Sequence, residues 1–362
     1  MNNVKKILFV TPSLEVGGAE KVMVTLFNHL DSRKFEGYFF SFKGGPLLSK
    51  VKVIETNKFI FNKVKILYGV INLILVIKKV KPNVVFSTHS HLNALICILK
   101  KLRFIQTKII IRESNFLSKQ QSNSKGFYES VFITWMVKKF YPSANLLICQ
   151  TEEMRKDIEY FFPYVKFPKV VIHNPIEFIP KYISSKGQNR IISIGRLEPQ
   201  KNHKVLIEAF SLIYKKIPHK LFIVGKGSEF DNLQELIRKK GLLERVELVG
   251  FKQSVWDLYK NSKLFVLPSN FEGFPNVVIE AMANSTPVIS SDCPSGPKEI
   301  IKDSVNGILF PVGDVKYLAM VMLRVLEDDA LATSLKVNAF ESVKAYSPAV
   351  ISRLYNELFN EV

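Results

Sequence analysis

Short apolar runs alternate with stretches of helical period along the whole chain. In the first half, the runs rich in β-branched and aromatic residues are Lys6–Val10, Gly37–Phe42, Val84–Ser87, Lys108–Ile111, Asn145–Cys149 and Lys169–Ile172. In the second half they are Arg190–Ile194, Lys220–Val224, Val246–Val249, Lys263–Leu267, Pro287–Ser290 and Gly307–Phe310. Between them stand segments with apolar residues at helical spacing, among them Ala19–Leu30, Lys204–Lys216, Glu229–Lys240 and Val315–Glu327. Nearly continuous apolar strands separated by helices predict parallel sheets covered on both faces. The fold class expected is therefore α/β, with two doubly wound, Rossmann-like domains in series.

The periodicity breaks at "HNPIEFIPKYISSKGQNR", residues 173–190, where prolines, serines and Gly187 interrupt it. That sets the expected domains at 1–175 and 186–345. A last helix over 346–362, with Ser347 at its N-cap and Pro348 after it, is expected to cross back to the first domain. Open α/β sheets bind ligands outside the carboxyl ends of their strands. With two such sheets, the expected site is a cleft that both face.

Composition narrows this picture in a few places. The 362 residues suit two domains, and 47% apolar with 23% charged residues excludes a disordered chain. Cys97, Cys149 and Cys293 are far apart, each in or beside an apolar run, so neither a disulfide framework nor a cysteine metal site is expected. The opening MNNVKKILFVTP reads as a first strand rather than a signal peptide, because Pro12 and Glu15 end its apolar run early. The most apolar stretch, Ile66–Ile77, is well short of the roughly 20 residues that span hydrocarbon. A cytoplasmic location is expected.

Charge is unevenly distributed. Residues 1–172 hold 27 Lys and Arg against 11 Asp and Glu, whereas 173–362 hold 24 against 21. The excess is densest over 51–150, where 16 basic residues stand among aromatics and aliphatics with 3 acidic ones. Such a face is attracted to an anionic bilayer by about 1 kcal/mol per basic residue near the surface. Nucleic acid would be attracted too. No nucleic-acid motif accompanies the charge, and none is expected as a partner.

Candidate chemistry lies at the strand ends. A strand, a glycine turn and a helix start together form an anion site, because unpaired N–H groups and the helix dipole point one way. "FVTPSLEVGGAEKV" offers Gly17 and Gly18. "ISIGRLEPQKNHKVLIEAF" offers Gly195 with two cations, Arg196 and Lys201. "LFIVGKGSE" offers a Gly-x-Gly that is equally a plain turn. In "SNFEGFPNVVIEAMANSTPVISSD", Glu272 and Glu280 flank Gly273, Phe274 and Asn276 at a helix start. The amides of Phe274 and Asn276 are placed to hold a phosphate, with Arg196 and Lys201 neutralising it. Carboxylates beside an anion repel it and accept hydroxyl hydrogens well, so they suit the sugar rings on either side of a diphosphate.

Those residues resemble the donor-binding domain of retaining family 4 glycosyltransferases, which have the GT-B architecture. The likeness rests on the E-x7-E motif Glu272 to Glu280, on Gly195, Arg196 and Lys201, and on "NSTPVISSDCPSGPKEII"; Gly17-Gly18-Ala19-Glu20 and the closing helix agree with it. The resemblance implies that Arg196 and Lys201 bind the diphosphate, that Glu280 binds ribose and that Glu272 binds the transferred sugar. It also implies that Gly17 and Gly18 approach the reacting centre, and that Val249 and Phe251 line the base pocket. No metal or other cofactor is expected. In "VVFSTHSHLNAL", His89 is the candidate beside the donor sugar, with His91 near it; Arg112, Glu113 and Asn115 stand at the next strand end. The resulting expectation is retaining transfer of a hexose or N-acetylhexosamine from a nucleotide-diphosphate sugar, UDP-linked by preference. The acceptor expected is a polyprenyl-diphosphate-linked glycan at the inner face of the membrane, in bacterial O-antigen, capsule or exopolysaccharide synthesis. The alternatives are a GT-B relative of other chemistry, such as a sugar-nucleotide epimerase or a phosphorylase, and a polyanion-binding protein.

Overall fold

The structure is a computed structural model, and it describes every residue except 1–3, 16, 53–57, 61–65, 115, 117, 119–126, 164–166 and 178–188. Asn115 and most of the interdomain stretch thus lie outside the described residues. Contacts divide the chain into two units, one of Met1–Glu177 with Tyr346–Val362 and the other of Phe178–Ala345.

The first unit is built on a parallel sheet of seven strands: β1 (Lys5–Thr11), β2 (Phe35–Ser41), β3 (Lys58–Ile60), β4 (Val84–Thr88), β5 (Lys108–Arg112), β6 (Leu146–Cys149) and β7 (Lys169–Val171). Their order is β3-β2-β1-β4-β5-β6-β7, so chain direction across the sheet reverses between β1 and β4. Strand β3 is not foreshadowed by the apolar pattern, because three residues at a sheet edge show no period. Helix α1 (Gly18–Asn28) covers one face together with the closing helix, Pro348–Glu361. Phe9 of β1 lies there with its ring edge-on to Phe27, at 5.3 Å, and to Phe359, at 6.0 Å. Ser347 does occupy the N-cap position of that closing helix, but its side chain makes no cap bond. Four further helices, α2 (Ile66–Val80), α3 (Ser90–Lys101), α4 (Phe127–Phe140) and α5 (Glu152–Phe161), cover the other face through Leu73, Ile77, Leu92, Ile96, Val137 and Ile158.

The second unit carries six parallel strands: β8 (Arg190–Ile194), β9 (Lys220–Val224), β10 (Val246–Gly250), β11 (Leu264–Leu267), β12 (Val288–Ser291) and β13 (Ile308–Phe310). Their order is β10-β9-β8-β11-β12-β13, with the reversal between β8 and β11. The helices are α6 (His203–Ile213), α7 (Phe230–Lys239), α8 (Trp256–Lys260), α9 (Asn276–Ala283), α10 (Pro297–Ile300), α11 (Val315–Glu327) and α12 (Asp329–Ser342). Asp314 and Asp328 begin α11 and α12 by accepting from the N–H groups of Tyr317 and Leu331, at 2.9 Å each. Each sheet therefore has one point where neighbouring strands send their connections to opposite sides, the place where such folds bind ligands. Among the described residues no helix is long and apolar enough to cross a membrane.

Candidate functional site

In the second unit, the loops leaving β8 and β11 meet at the reversal point. Past Ile194 the backbone keeps pairing, with Gly195 N–H donating to Val224 O and Leu197 N–H to Lys226 O, both at 3.0 Å. A Cβ at Gly225 would lie 1.8 Å from Gly195 O, and one at Gly227 would lie 2.2 Å from Leu197 O. The Gly-x-Gly after β9 thus has a packing cause: it lets these two loops touch. Leu197 is buried and pins the loop down. A single turn, Pro199–Lys201, then brings Lys201 back over Gly195, where an added Cβ would press to 3.3 Å from the lysine Cδ.

Lys201 ends against Glu272, with Nζ 2.6 Å from Oε1 and both side chains largely buried. Ser269 Oγ donates to the same oxygen at 2.5 Å. A carboxylate has about four acceptor sites, so Glu272 keeps capacity beyond this pair. The two loops are also tied by Gln200, whose Nε2 donates to Phe271 O at 2.9 Å and whose O accepts from Asn270 N–H at 2.8 Å. Arg196 is exposed, and its guanidinium donates to Gln200 Oε1 at 3.0 Å. One cation is therefore paired and held, and the other is aimed outward.

The segment after β12 supports this pair from behind. Glu272 N–H donates to Pro294 O at 3.2 Å, and Ser295 Oγ donates to Gly273 O at 2.8 Å. Gly296 lies in the left-handed region, with φ 90°, and a Cβ there would sit 2.4 Å from Pro275 Cδ. At the start of α9, Asn276 N–H donates to Phe274 O at 2.9 Å. The expected phosphate contact through the Asn276 amide requires that bond to open. Glu280, on the next turn of α9, accepts from Tyr259 Oη at 3.0 Å. Tyr259 is fully buried, and burial followed by the Glu280 charge holds its phenol well above the usual range. Val249 is half-buried near the end of β10; Phe251, just past it, is exposed, with Lys226 Nζ 5.4 Å from its ring centre. Buried His203, at the start of α6, is pushed down to about 3 by burial and secondarily by the Lys201 charge.

In the first unit, α1 begins at Gly18, one residue before the expected start. Glu20, part of the Gly-Gly-Ala-Glu likeness, folds back over the glycine turn: a Cβ at Gly17 would lie 2.1 Å from its Oε2. Its other oxygen is 3.1 Å from His89 Nε2. His89 caps α3 with a left-handed φ of 76°, and His91 lies beside it with ring centres 5.8 Å apart. Gly17, Glu20 and His89 are thus gathered at the ends of β1 and β4. Arg112 and Glu113 differ, for both are fully buried. Glu113 accepts from Ser90 Oγ and Ser114 N–H at 2.9 Å, and from Tyr141 Oη at 2.7 Å. Arg112 donates to Thr88 Oγ1 at 3.2 Å and to Asn174 Oδ1. These two residues organise the interior of the unit and present nothing to a ligand in this geometry.

In the second unit Tyr259, Ser269 and Gln200 join the expected residues without a sign in the sequence, and in the first unit Glu20 joins Gly17 and His89. The spacing GGAE put Glu20 within one turn of the glycines, a usable sign. Tyr259 lies 21 residues from Glu280 and carried none. Among the described residues no group of three or more His, Cys, Asp or Glu could hold a metal ion.

Residues 176–342 match the family profile of Glycosyl transferases group 1, and residues 16–178 match that of Glycosyltransferase Family 4. An uncharacterized glycosyltransferase of Methanocaldococcus jannaschii is 32% identical over 78% of this chain and 74% of its own. The chain belongs to the family 4 glycosyltransferases. A second relative of this glycosyltransferase, from Campylobacter jejuni, is 28% identical over 94% of this chain and 95% of its own. Its name is N-acetylgalactosamine-N,N'-diacetylbacillosaminyl-diphospho-undecaprenol 4-alpha-N-acetylgalactosaminyltransferase. Among solved structures, Anabaena HepE in complex with UDP superposes with TM-score 0.81 at 19% identity, covering 99% of this chain and 100% of that one. That likeness establishes the GT-B fold of two Rossmann-like units.

Proposed function

We propose that this glycosyltransferase moves a hexose or N-acetylhexosamine, with retention and without a metal ion, from a UDP-sugar to a polyprenyl-diphosphate-linked glycan in bacterial surface-polysaccharide synthesis. The observation that carries the reading is the Lys201–Glu272 pair at the reversal point of the second sheet, with Arg196 beside it. A donor diphosphate supplies Lys201 with a stronger counter-charge, and Glu272 is then left to accept hydroxyl hydrogens from the sugar. Arg196 and Lys201 stabilise the charge that grows on the departing phosphate oxygen as the anomeric C–O bond breaks. The acceptor hydroxyl attacks on the same face and gives its proton to that oxygen. Glu280, steadied by Tyr259, is assigned to the ribose, and His89, held by Glu20, to the donor sugar. The C. jejuni relative's name, with its diphospho-undecaprenol, supports the acceptor class. HepE, solved also with UDP-glucose, supports the donor class.

The test is incubation with UDP-, GDP- and dTDP-sugars, with and without a polyprenyl-diphosphate glycan, in the presence of EDTA. Transfer from a UDP-sugar only when acceptor is present, undiminished by EDTA and with the donor's anomeric configuration kept in the product, is the expected result. Equal consumption of donor without acceptor points to an epimerase or hydrolase and overturns the proposal.

A further inference from the structure

The amino end of the second sheet, opposite the loops that hold Arg196 and Glu272, gathers cations. Arg190 of β8 is in register with Lys220 of β9. On either side of that pair, Lys263 stands just before Leu264, the partner of Ile191, and Arg245 just before Val246, the partner of Leu221. Lys263 N–H donates to Arg190 O and Leu221 N–H donates to Arg245 O, both at 2.8 Å, which fixes the row. Neighbouring strands lie about 4.8 Å apart, so Arg245, Lys220, Arg190 and Lys263 line up across about 14 Å.

Two further groups lie against this row. His219, just before β9, is only 6% exposed, and its carbonyl accepts from the Arg245 guanidinium at 2.7 Å. Its ring Nδ1 is buried and has no hydrogen-bond partner among the described residues. Lys336 of α12 is half-buried. Burial, then the Lys263 charge and then that of Arg245 hold His219 below its ordinary range, and burial followed by the Lys263 charge does the same to Lys336. Lys263 therefore faces both. Counter-charge is scarce here: Asp329 Oδ1 is 3.8 Å from Lys263 Nζ, but its side chain is 93% exposed, and Glu244 and Glu247 are exposed as well. An exposed pair of that kind contributes little. Lysines packed together beside an unpartnered imidazole nitrogen destabilise the unit unless an opposite charge joins them.

We infer that the amino end of the second sheet binds a small anion bearing more than one phosphate group, held by Lys263, Lys220 and Lys336 and by the imidazole of His219. The ammonium groups meet phosphate oxygens as charge-assisted donors, and Nδ1 donates to another oxygen. A row about 14 Å long outruns a single phosphate, so the class is an oligophosphate. Because the row stands at the other ends of the strands from Arg196, Lys201 and Glu272, this site is separate from the donor site and does not rest on the donor reading.

The experiment is calorimetric titration of the full-length protein with tripolyphosphate and with inorganic phosphate at matched ionic strength, with and without saturating UDP. The same titrations on Arg196→Ala separate the two sites without relying on UDP. Tripolyphosphate is expected to bind in the presence of UDP and to Arg196→Ala, with inorganic phosphate at least tenfold weaker. Lys263→Met with Lys336→Met is expected to weaken tripolyphosphate at least tenfold, while stability to urea without the anion stays equal or rises, since a repulsion has been removed. Lys220→Ala, at an exposed position, is expected to weaken it several-fold. The His219 ring proton resonance, assigned by its loss in His219→Gln, is expected to shift as tripolyphosphate is added. Unchanged affinity in the lysine variants overturns the proposal, and so does a His219 resonance that stays in place. Binding abolished by UDP or by Arg196→Ala puts the anion in the donor site and overturns it too. Tripolyphosphate binding that persists in a protein that fails to bind UDP upholds this site and overturns the donor reading instead.

Discussion

The two units place charged residues at the carboxyl ends of strands in the same kind of sheet and hold them in opposite ways. At the carboxyl ends of β8 and β11, Arg196 is exposed and Lys201 and Glu272 are paired across two loops, a contact that a diphosphate can compete for. At the end of β5, one strand beyond the reversal of the first sheet, Arg112 and Glu113 lie fully buried, and the Glu113 oxygens accept from Ser90, Ser114 and Tyr141. The net charge is sorted likewise. Within the boundaries of the first unit there are 28 basic and 14 acidic residues, against 23 and 18 in the second. The first unit carries its surplus outside its core, on helices such as α2 and α4. On the proposed reading, a charged residue at a strand end serves a ligand where its partners are few and replaceable. Where several fixed partners saturate it, it is part of the scaffold.

The largest effect that tests this contrast is on stability. Glu113→Ala strands two buried hydroxyls and an N–H group, and breaking a buried charged network typically costs about 3–5 kcal/mol. Urea unfolding is expected to show a loss of that size, while UDP binding by the folded fraction is kept. A fully stable Glu113→Ala that no longer transfers sugar would erase the contrast. Next comes the opposite pattern in the second unit. Arg196→Ala is expected to lower kcat/KM by about 10²-fold, by analogy with removal of an oxyanion donor, with unfolding almost unchanged because the side chain is exposed. Lys201→Ala should lose as much activity and some stability as well, since it leaves Glu272 buried without its cation.

How far the sequence could anticipate this depends on distance along the chain. Twelve of the strands, the doubly wound order and the pairing of the Arg196–Lys201 loop with the Glu272 loop follow from local period and motif spacing. The fate of Arg112 and Glu113 does not, because their partners Ser90, Tyr141 and Asn174 lie 23 to 62 residues away. Gly225 and Gly227 were legible as a turn, but their cause is carbonyl oxygens of another loop. The Asn276 amide looked open from its place at a helix start. Only the local geometry puts it on Phe274 O.

A third prediction concerns pH and a buried base in the second unit. His203 has a folded value of about 3 against an ordinary 6.5. Between those values the unfolded chain binds a proton that the folded one refuses, so stability falls as pH falls through this window and is level above it. One such group contributes about 1.4 kcal/mol per pH unit. Urea unfolding at pH 7 and pH 5 is expected to show wild type losing about 2 kcal/mol more than His203→Gln. Equal losses would mean that His203 protonates freely, and that the interior of this unit is more open than its packing implies.

The smallest effect separates the two glutamates. If Glu280 serves the ribose and Glu272 the transferred sugar, Glu280→Ala weakens UDP binding and Glu272→Ala leaves it nearly intact while impairing transfer. Tyr259 sharpens this, because its hydroxyl donates to Glu280 at 3.0 Å from inside the unit. Tyr259→Phe keeps the ring and its packing and removes one hydrogen bond, whose net worth is about 0.5–1.5 kcal/mol. Calorimetry is therefore expected to show UDP bound a few-fold to tenfold more weakly by Tyr259→Phe, with the loss absent when Glu280 is already alanine. Such non-additivity identifies Tyr259 as acting through Glu280. Equal losses in both backgrounds would place its effect elsewhere in the nucleotide pocket, and a loss of transfer without loss of UDP affinity would move Glu280 to the sugar side of the diphosphate.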